Sequence, residues 1–595
     1  MTLHWMRERI LPLALALVGI GPAATAAETA LPVTGEDTRD DLRTADEASE
    51  QATIAWTARE AEHLLNRAGF GATPEQVAAA VAAGRDATIE GLFLPPELQV
   101  PLEVPEKTTF KDGLARPDEM DRDDARRMSR RLDRDQLNQY TGWWFDTMLN
   151  GADPLRDRMT LFWHGYFTSS QRDVRSSYQM IQQNQLLRAN ALGSFEELLF
   201  GIAKDPAMLE YLDNDENKKE NPNENFAREV MELFTLGEGH YVEDDIKEAA
   251  RAFTGWRSRR GEFREQSRQH DTGEKTILGE TGRFDGDDVL EILLRQDECG
   301  PHVAGRLLEY LEGVSPSDER KAHYGALLAG SDYDVGTLLR ELFRDPHFYS
   351  DAVVGQRVAG PIDHLVGMSR RLELDPPAVW LTYGTELLGQ ELFNPPNVKG
   401  WPGGMTWITT ASFMHRGNLA GILLGTVEVG DLIEGGTFGE DLAALRDLAR
   451  DAAGRAGQGP SADGAGEGMM GEGEMMDGEM MDGDMSATAP SPADLRRLGQ
   501  LSRLKRLDRS WNPKLRLERD LARNRTPAEV VDGLADLLLA VELPSETRAF
   551  LLDEYQARLA ELPETGRRSE DRRNLEELLR SFAHLILSLP EAQLN

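Results

Sequence analysis

Thiols and positive charge are scarce in this 595-residue sequence. Cys299 is the only cysteine, so a disulfide within the chain is impossible and a thiolate metal site is excluded. Lysine and arginine number 66 against 103 acidic residues, a formal charge of -37. A chain this negative repels phosphate backbones and anionic lipid, which disfavours nucleic acid as a partner and makes divalent cations natural ones. Past residue 24 no apolar stretch approaches the roughly 20 residues of a membrane span. The H-E-x-x-H, G-x-S-x-G and P-loop patterns are absent, as is the paired Glu-x-x-His of di-iron bundles.

What is there begins with Arg7 and Arg9, an apolar run from Ile10 to Ala24, and the small-x-small pattern Ala24-Thr25-Ala26. This reads as a secretory signal peptide over 1–26, cleaved before Ala27, with an uncleaved anchor as the alternative. The protein is therefore expected in the periplasm or outside the cell. Residues 27–55 read as a flexible lead-in. Helical signals dominate from Trp56. Thr73-Pro74, Asp153-Pro154, Asp205-Pro206, Asp345-Pro346 and Thr526-Pro527 each combine a capping side chain with a first-turn proline. Ser194 with Glu197 and Thr526 with Glu529 match the capping box. Apolar spacing predicts helices over 121–149, 154–164, 173–191, 195–203, 206–212, 223–236 and 243–254. Leu132, Leu137, Tyr140, Trp144 and Met148 should form the buried side of the first.

Two segments break this pattern. Residues 257–284 read as a loop with a short hairpin, and NPPNVKGWPGGMTW (394–407) is too rigid and aromatic for a linker. Residues 454–494 form a low-complexity insertion holding 7 of the 19 methionines, for which disorder is the expectation. Its thioethers suit Cu(I), but its carboxylates are poor soft ligands and no histidine is near. Helices are expected again at 495–508, 527–541, 545–561 and 569–589. The whole reads as all-α: one large multi-helix domain, with a core over 56–453 completed by helices in 495–595.

The densest polar chemistry lies in YLDNDENKKENPNENFAREVMELFTLGEG (211–239). Asp213, Asp215, Asn217, Asn221 and Glu224 fall at positions one, three, five, nine and twelve of the helix–loop–helix calcium template. Lys218 stands where that template requires glycine. Two readings stay open: a Ca²⁺ or Mg²⁺ site using Asp213, Asp215, Asn217 and Glu224, or an Asx-rich turn capping the next helix. Glu224, Arg228 and Glu232 follow at four-residue steps, so an α-helix would let Arg228 bridge both carboxylates in a buried structural network. His164, His270, Asp271 and Glu229 are the candidates for proton transfer, provided their segments converge.

The blocks HLLNRAGFGAT (63–73), LFWHGYFTSS (161–170), KDPAMLEYLDN (204–214), NPNENFAREVMELFTLGEGHY (221–241), EAARAFTGW (248–256), HDTGEKTILG (270–279) and GQELFNPPNVKGWPGG (389–404) together resemble one bacterial family, domain of unknown function 1800. The resemblance implies an exported, mostly helical protein, often encoded beside a second exported protein. It implies no activity. Two functions follow as expectations: a non-catalytic envelope or secretion partner, traced by an apolar patch around Trp401 and Trp407, or a divalent-metal-dependent hydrolase of an extracytoplasmic polymer or ester.

Overall fold

The structure, a computed structural model, describes residues 55–94, 103–117, 120–428, 525–563 and 565–595, with Trp511, Pro513, Leu515, Leu517, Leu521 and Ala522. The leader, nearly all of the lead-in, the Met-rich insertion and the helix expected at 495–508 lie outside these residues. The chain divides into a large unit, residues 1–420 with 515–595, and a small one, 421–514. In the small unit Trp511 Nε1 donates to the Leu423 carbonyl at 3.1 Å.

The described residues are mostly helical. The first long helix runs Arg122–Asn150, and Phe195–Ala203 has the predicted bounds. The Asx/Thr-Pro devices work as caps. Asp205 Oδ1 accepts from Met208 N at 2.9 Å, and Asp345 Oδ1 accepts from His347 N at 2.9 Å. Thr526 and Glu529 close a full capping box, whereas Ser194 only accepts from Glu197 N, without the return bond. The helix expected over 173–191 is broken. Arg175 adopts a left-handed conformation (φ 53°), and Ser176 caps a fresh helix, Ser177–Ala189. Leu132 is also corrected: at 39% exposure it faces out, while Trp144 and Met148 are buried as the spacing predicts.

The irregular segment holds two antiparallel hairpins rather than one. Strand β1 (Trp256–Ser258) pairs with β2 (Phe263–Glu265), and β3 (Lys275–Ile277) with β4 (Glu280–Gly282). Among the described residues no helix is long and apolar enough to cross a membrane.

One core runs through the large unit, with Trp163, Phe167 and Phe195 stacked at its centre and Phe234 edge-on to Phe167. Buried ion pairs cross it. The fully buried Arg158 guanidinium pairs with Asp363, whose other oxygen meets Arg357 at 2.8 Å. Burial pushes the Asp363 carboxyl up, but the two guanidiniums overcome it and hold it at about 2.

Candidate functional site at a π-helix

The predicted helix 223–236 is two structures. An α-helical turn, Asn225–Glu229, passes into a π-helix, Val230–Leu236, closed by Gly237 N donating to Glu232 O at 3.1 Å. Long π segments are rare and tend to mark functional positions. Here the irregular carbonyls are met by specific side chains. Thr235 Oγ1 donates to Val230 O at 2.7 Å, Tyr166 OH to Phe234 O at 3.1 Å, and His302 Nε2 to Leu233 O at 3.0 Å. A buried, unpaired carbonyl is costly, so these partners help to hold the wider turn.

The π-turn corrects the expected Arg228 network. A wider turn advances each residue by a smaller angle, so Glu232 no longer falls beneath Arg228. Arg228 instead grips Glu243 with both terminal nitrogens, at 3.0 and 2.9 Å, and reaches Glu224 at 3.3 Å. Its side chain is a third exposed, so this is a surface ladder, not a buried network. Glu232 is taken up by other segments. It accepts from Tyr241 OH at 2.8 Å and lies 3.6 Å from Lys399 Nζ, which also meets Glu238 at 3.1 Å. Lys399 belongs to the 394–407 loop, so two sequence blocks far apart in the chain meet at Glu232.

Glu229 stands beside this cluster, half-buried and without a hydrogen-bond or ion-pair partner among the described residues. Burial raises its carboxyl above the ordinary glutamate value, and the Glu232 charge raises it further. A carboxyl biased toward the protonated form thus adjoins a carboxylate held by a phenol and an ammonium.

The acidic loop is organised differently. Asp215 Oδ1 accepts from Ser258 N at 2.6 Å. Asn217 Nδ2 donates to Asn214 Oδ1 at 3.0 Å and Ala250 O at 2.9 Å, while its Oδ1 accepts from Asn223 N at 3.0 Å. Asp213 is left-handed (φ 57°), and its carbonyl accepts from Asn223 Nδ2 at 3.3 Å. One side-chain oxygen each of Asp215, Asn217 and Glu224 is engaged by a protein donor, and the exposed Asp213 carboxylate makes no hydrogen bond or ion pair among the described residues; the bonds of Asp215 and Asn217 to backbone groups favour the Asx-turn reading over a cation loop. Among the described residues no group of three or more His, Cys, Asp or Glu side chains is arranged to hold a metal.

The histidines have separate partners. His164 is buried beside Trp144, Phe393 and Trp401, and its Nε2 accepts from Phe393 N at 3.0 Å. Burial drives its pKa down to about 3, so the ring is neutral and latches the 393–401 segment onto the Pro154–Tyr166 helix. His270 Nδ1 donates to Thr254 O at 3.0 Å. Asp271 pairs with Arg251 at 2.8 Å and accepts from Gly273 N at 2.8 Å; the Arg251 bond chiefly holds its carboxyl below the ordinary value. Its carbonyl, with those of Gly273 and Phe284, receives the buried Lys275 ammonium, so this block braces the second hairpin. Among the described residues His164, His270, Glu229 and Glu232 share no hydrogen-bond partner.

Sequence reading missed Tyr241, Lys399, Tyr166 and His302 as members of the site. Tyr241, Lys399 and Tyr166 sit inside recognised blocks, and that placement was the available signal. His302 lies in an ordinary amphipathic helix and had none.

Residues 63–594 match the model of a family described as a protein of unknown function, DUF1800, and the chain belongs to that family. No curated protein and no solved structure matches it.

Proposed function

We propose that this is an exported protein that performs acid–base chemistry at the Glu229–Glu232 pair, in its simplest form hydrolysis of a glycosidic or ester linkage outside the cytoplasm. The observation that carries this reading is the half-buried, partnerless Glu229 beside a Glu232 fixed by Tyr241 and Lys399. A carboxyl whose surroundings favour its protonated form, standing beside a second carboxyl, is a usual arrangement for a general acid and a general base. In the forward step Glu232 takes a proton from water as the water oxygen bonds to the electrophilic carbon. The carbon–oxygen bond to the leaving group breaks, and Glu229 delivers its proton to that oxygen. The leader pattern supports export. This reading moves the work from the histidines and the 213–224 loop to the π-helix.

The test is turnover of a panel of chromogenic glycosides and esters by purified protein. Glu229→Gln, which is isosteric and lacks the transferable proton, is expected to lose about a hundredfold or more in rate. Equal turnover by wild type and variant would sink the proposal.

A second reading, an envelope partner without chemistry of its own, is favoured by the 394–407 loop. His164 latches its base, Trp401 and Trp407 are half-buried, and Met405 at its tip is 67% exposed. On that reading Met405→Asp abolishes co-purification with the second exported protein that the family resemblance implies.

A further inference from the structure

The turn after the π-helix has two sides. Tyr241 reaches Glu232, while Gly237 and His240 line a separate cleft of about 500 Å³ against the Cys299–Glu312 helix. His302, Arg306 and Glu309 come from that helix and line the same cleft. They are spaced i, i+4 and i+7, so they share one face, and His302 and Arg306 are separated by about 6 Å along the axis.

Each of the three has a defined chemical state. Leu233 O can only accept, so His302 Nε2 carries the ring proton in that bond and Nδ1 keeps a lone pair. Nδ1 lies against Gly237, where a Cβ would come within 2.9 Å of it; with φ +82° as well, this position requires glycine. The Arg306 guanidinium is exposed and makes no ion pair or hydrogen bond among the described residues. Glu309 accepts one weak bond, from Ser315 Oγ at 3.3 Å, and keeps a free oxygen.

The remaining charges are mixed. Lys321 pairs with Asp318 at 3.0 Å, Glu298 faces His240 at 3.8 Å, and Asp297 has no partner among the described residues. A simple anion would suit Arg306 but meet several carboxylates, and a simple cation would meet Arg306. A ligand carrying both signs satisfies both.

We propose that this cleft binds a small zwitterion, a free amino acid or short peptide. Its carboxylate takes the two-pronged Arg306 guanidinium, and its ammonium donates to Glu309, while His302, closed off at Nδ1 by Gly237, forms the end wall. Leu236, Pro301 and Pro316 offer apolar wall to a ligand side chain. A guanidinium fork matches a carboxylate with two parallel bonds, and a carboxylate with a free oxygen matches an ammonium.

Calorimetric titration of the full chain with alanyl-alanine tests this, with N-acetyl-alanyl-alanine and alanyl-alanine amide as single-charge controls. The free dipeptide is expected to bind, both capped forms to bind roughly tenfold more weakly or worse, and Arg306→Gln to weaken the dipeptide by a similar factor. Arg306 is exposed, so its substitution leaves the fold intact; an unchanged melting curve checks this. Glu229→Gln should bind the dipeptide as wild type does, which separates this site from the acid–base pair. Equal binding of the acetylated form, or no heat at roughly 10 mM dipeptide, overturns the proposal.

Discussion

Two polar stretches adjoin in this chain and behave in opposite ways. In the 213–225 loop the side chains of Asp215, Asn217 and Asn223 are bonded to backbone groups of the loop and its neighbours. Seven residues after Asn223 the π-helix begins; Glu229 just before it has no partner among the described residues, and Glu232 within it is held from outside by Tyr241 and Lys399. The loop is richer in oxygen, but its unbonded carboxylate, Asp213, is exposed to solvent, whereas Glu229 at the entry to the π-helix is half-buried beside a second carboxylate. Oxygen density in a sequence says little about availability, because Asp and Asn bond readily to nearby backbone amides.

That contrast can be broken from the loop side first. Asn217 is fully buried and makes three hydrogen bonds, so Asn217→Ala should cost about 2–3 kcal/mol in urea unfolding. A loss near zero would mean the loop is not the closed structural element described here. On the π-helix side, Tyr166→Phe removes the donor to Phe234 O and should cost about 1–2 kcal/mol. It should also speed amide exchange across 230–236; unchanged exchange would show that the wide turn needs no outside support. The smallest effect belongs to the ladder between the two regions. Arg228→Gln should change stability by no more than about 0.5 kcal/mol, because exposed pairs are screened by water.

Much of the fold was legible because its signals are local. Capping residues followed by proline announce helix starts from a few adjacent side chains, and Asp205-Pro206 and Thr526-Pro527 both do so. Leu132 fits the apolar spacing of its helix yet faces out, because spacing does not say which neighbours arrive to cover a face. The site was half legible. Glu229 and Glu232 stood out as carboxylates on one patterned helix. Their roles did not, because a switch from α to π winding depends on Tyr166 and His302, which come from other helices. Four-residue spacing then assigned Arg228 the wrong second partner. His164 looked like a proton carrier from its aromatic-flanked position, and the same aromatics bury it and keep it neutral.

The account rests on Glu229 being held toward its protonated form by the fold. A carboxyl whose folded-state pKa is raised contributes stability that is full below its unfolded value and is lost as pH rises through the folded one. Glutamine keeps the shape and never ionises. The deciding measurement is the stability of wild type and Glu229→Gln by chemical unfolding from about pH 4 to about pH 7. The two should be nearly equal at the acid end, with the variant increasingly the more stable as pH rises. A gap that stays constant across that range would contradict the account.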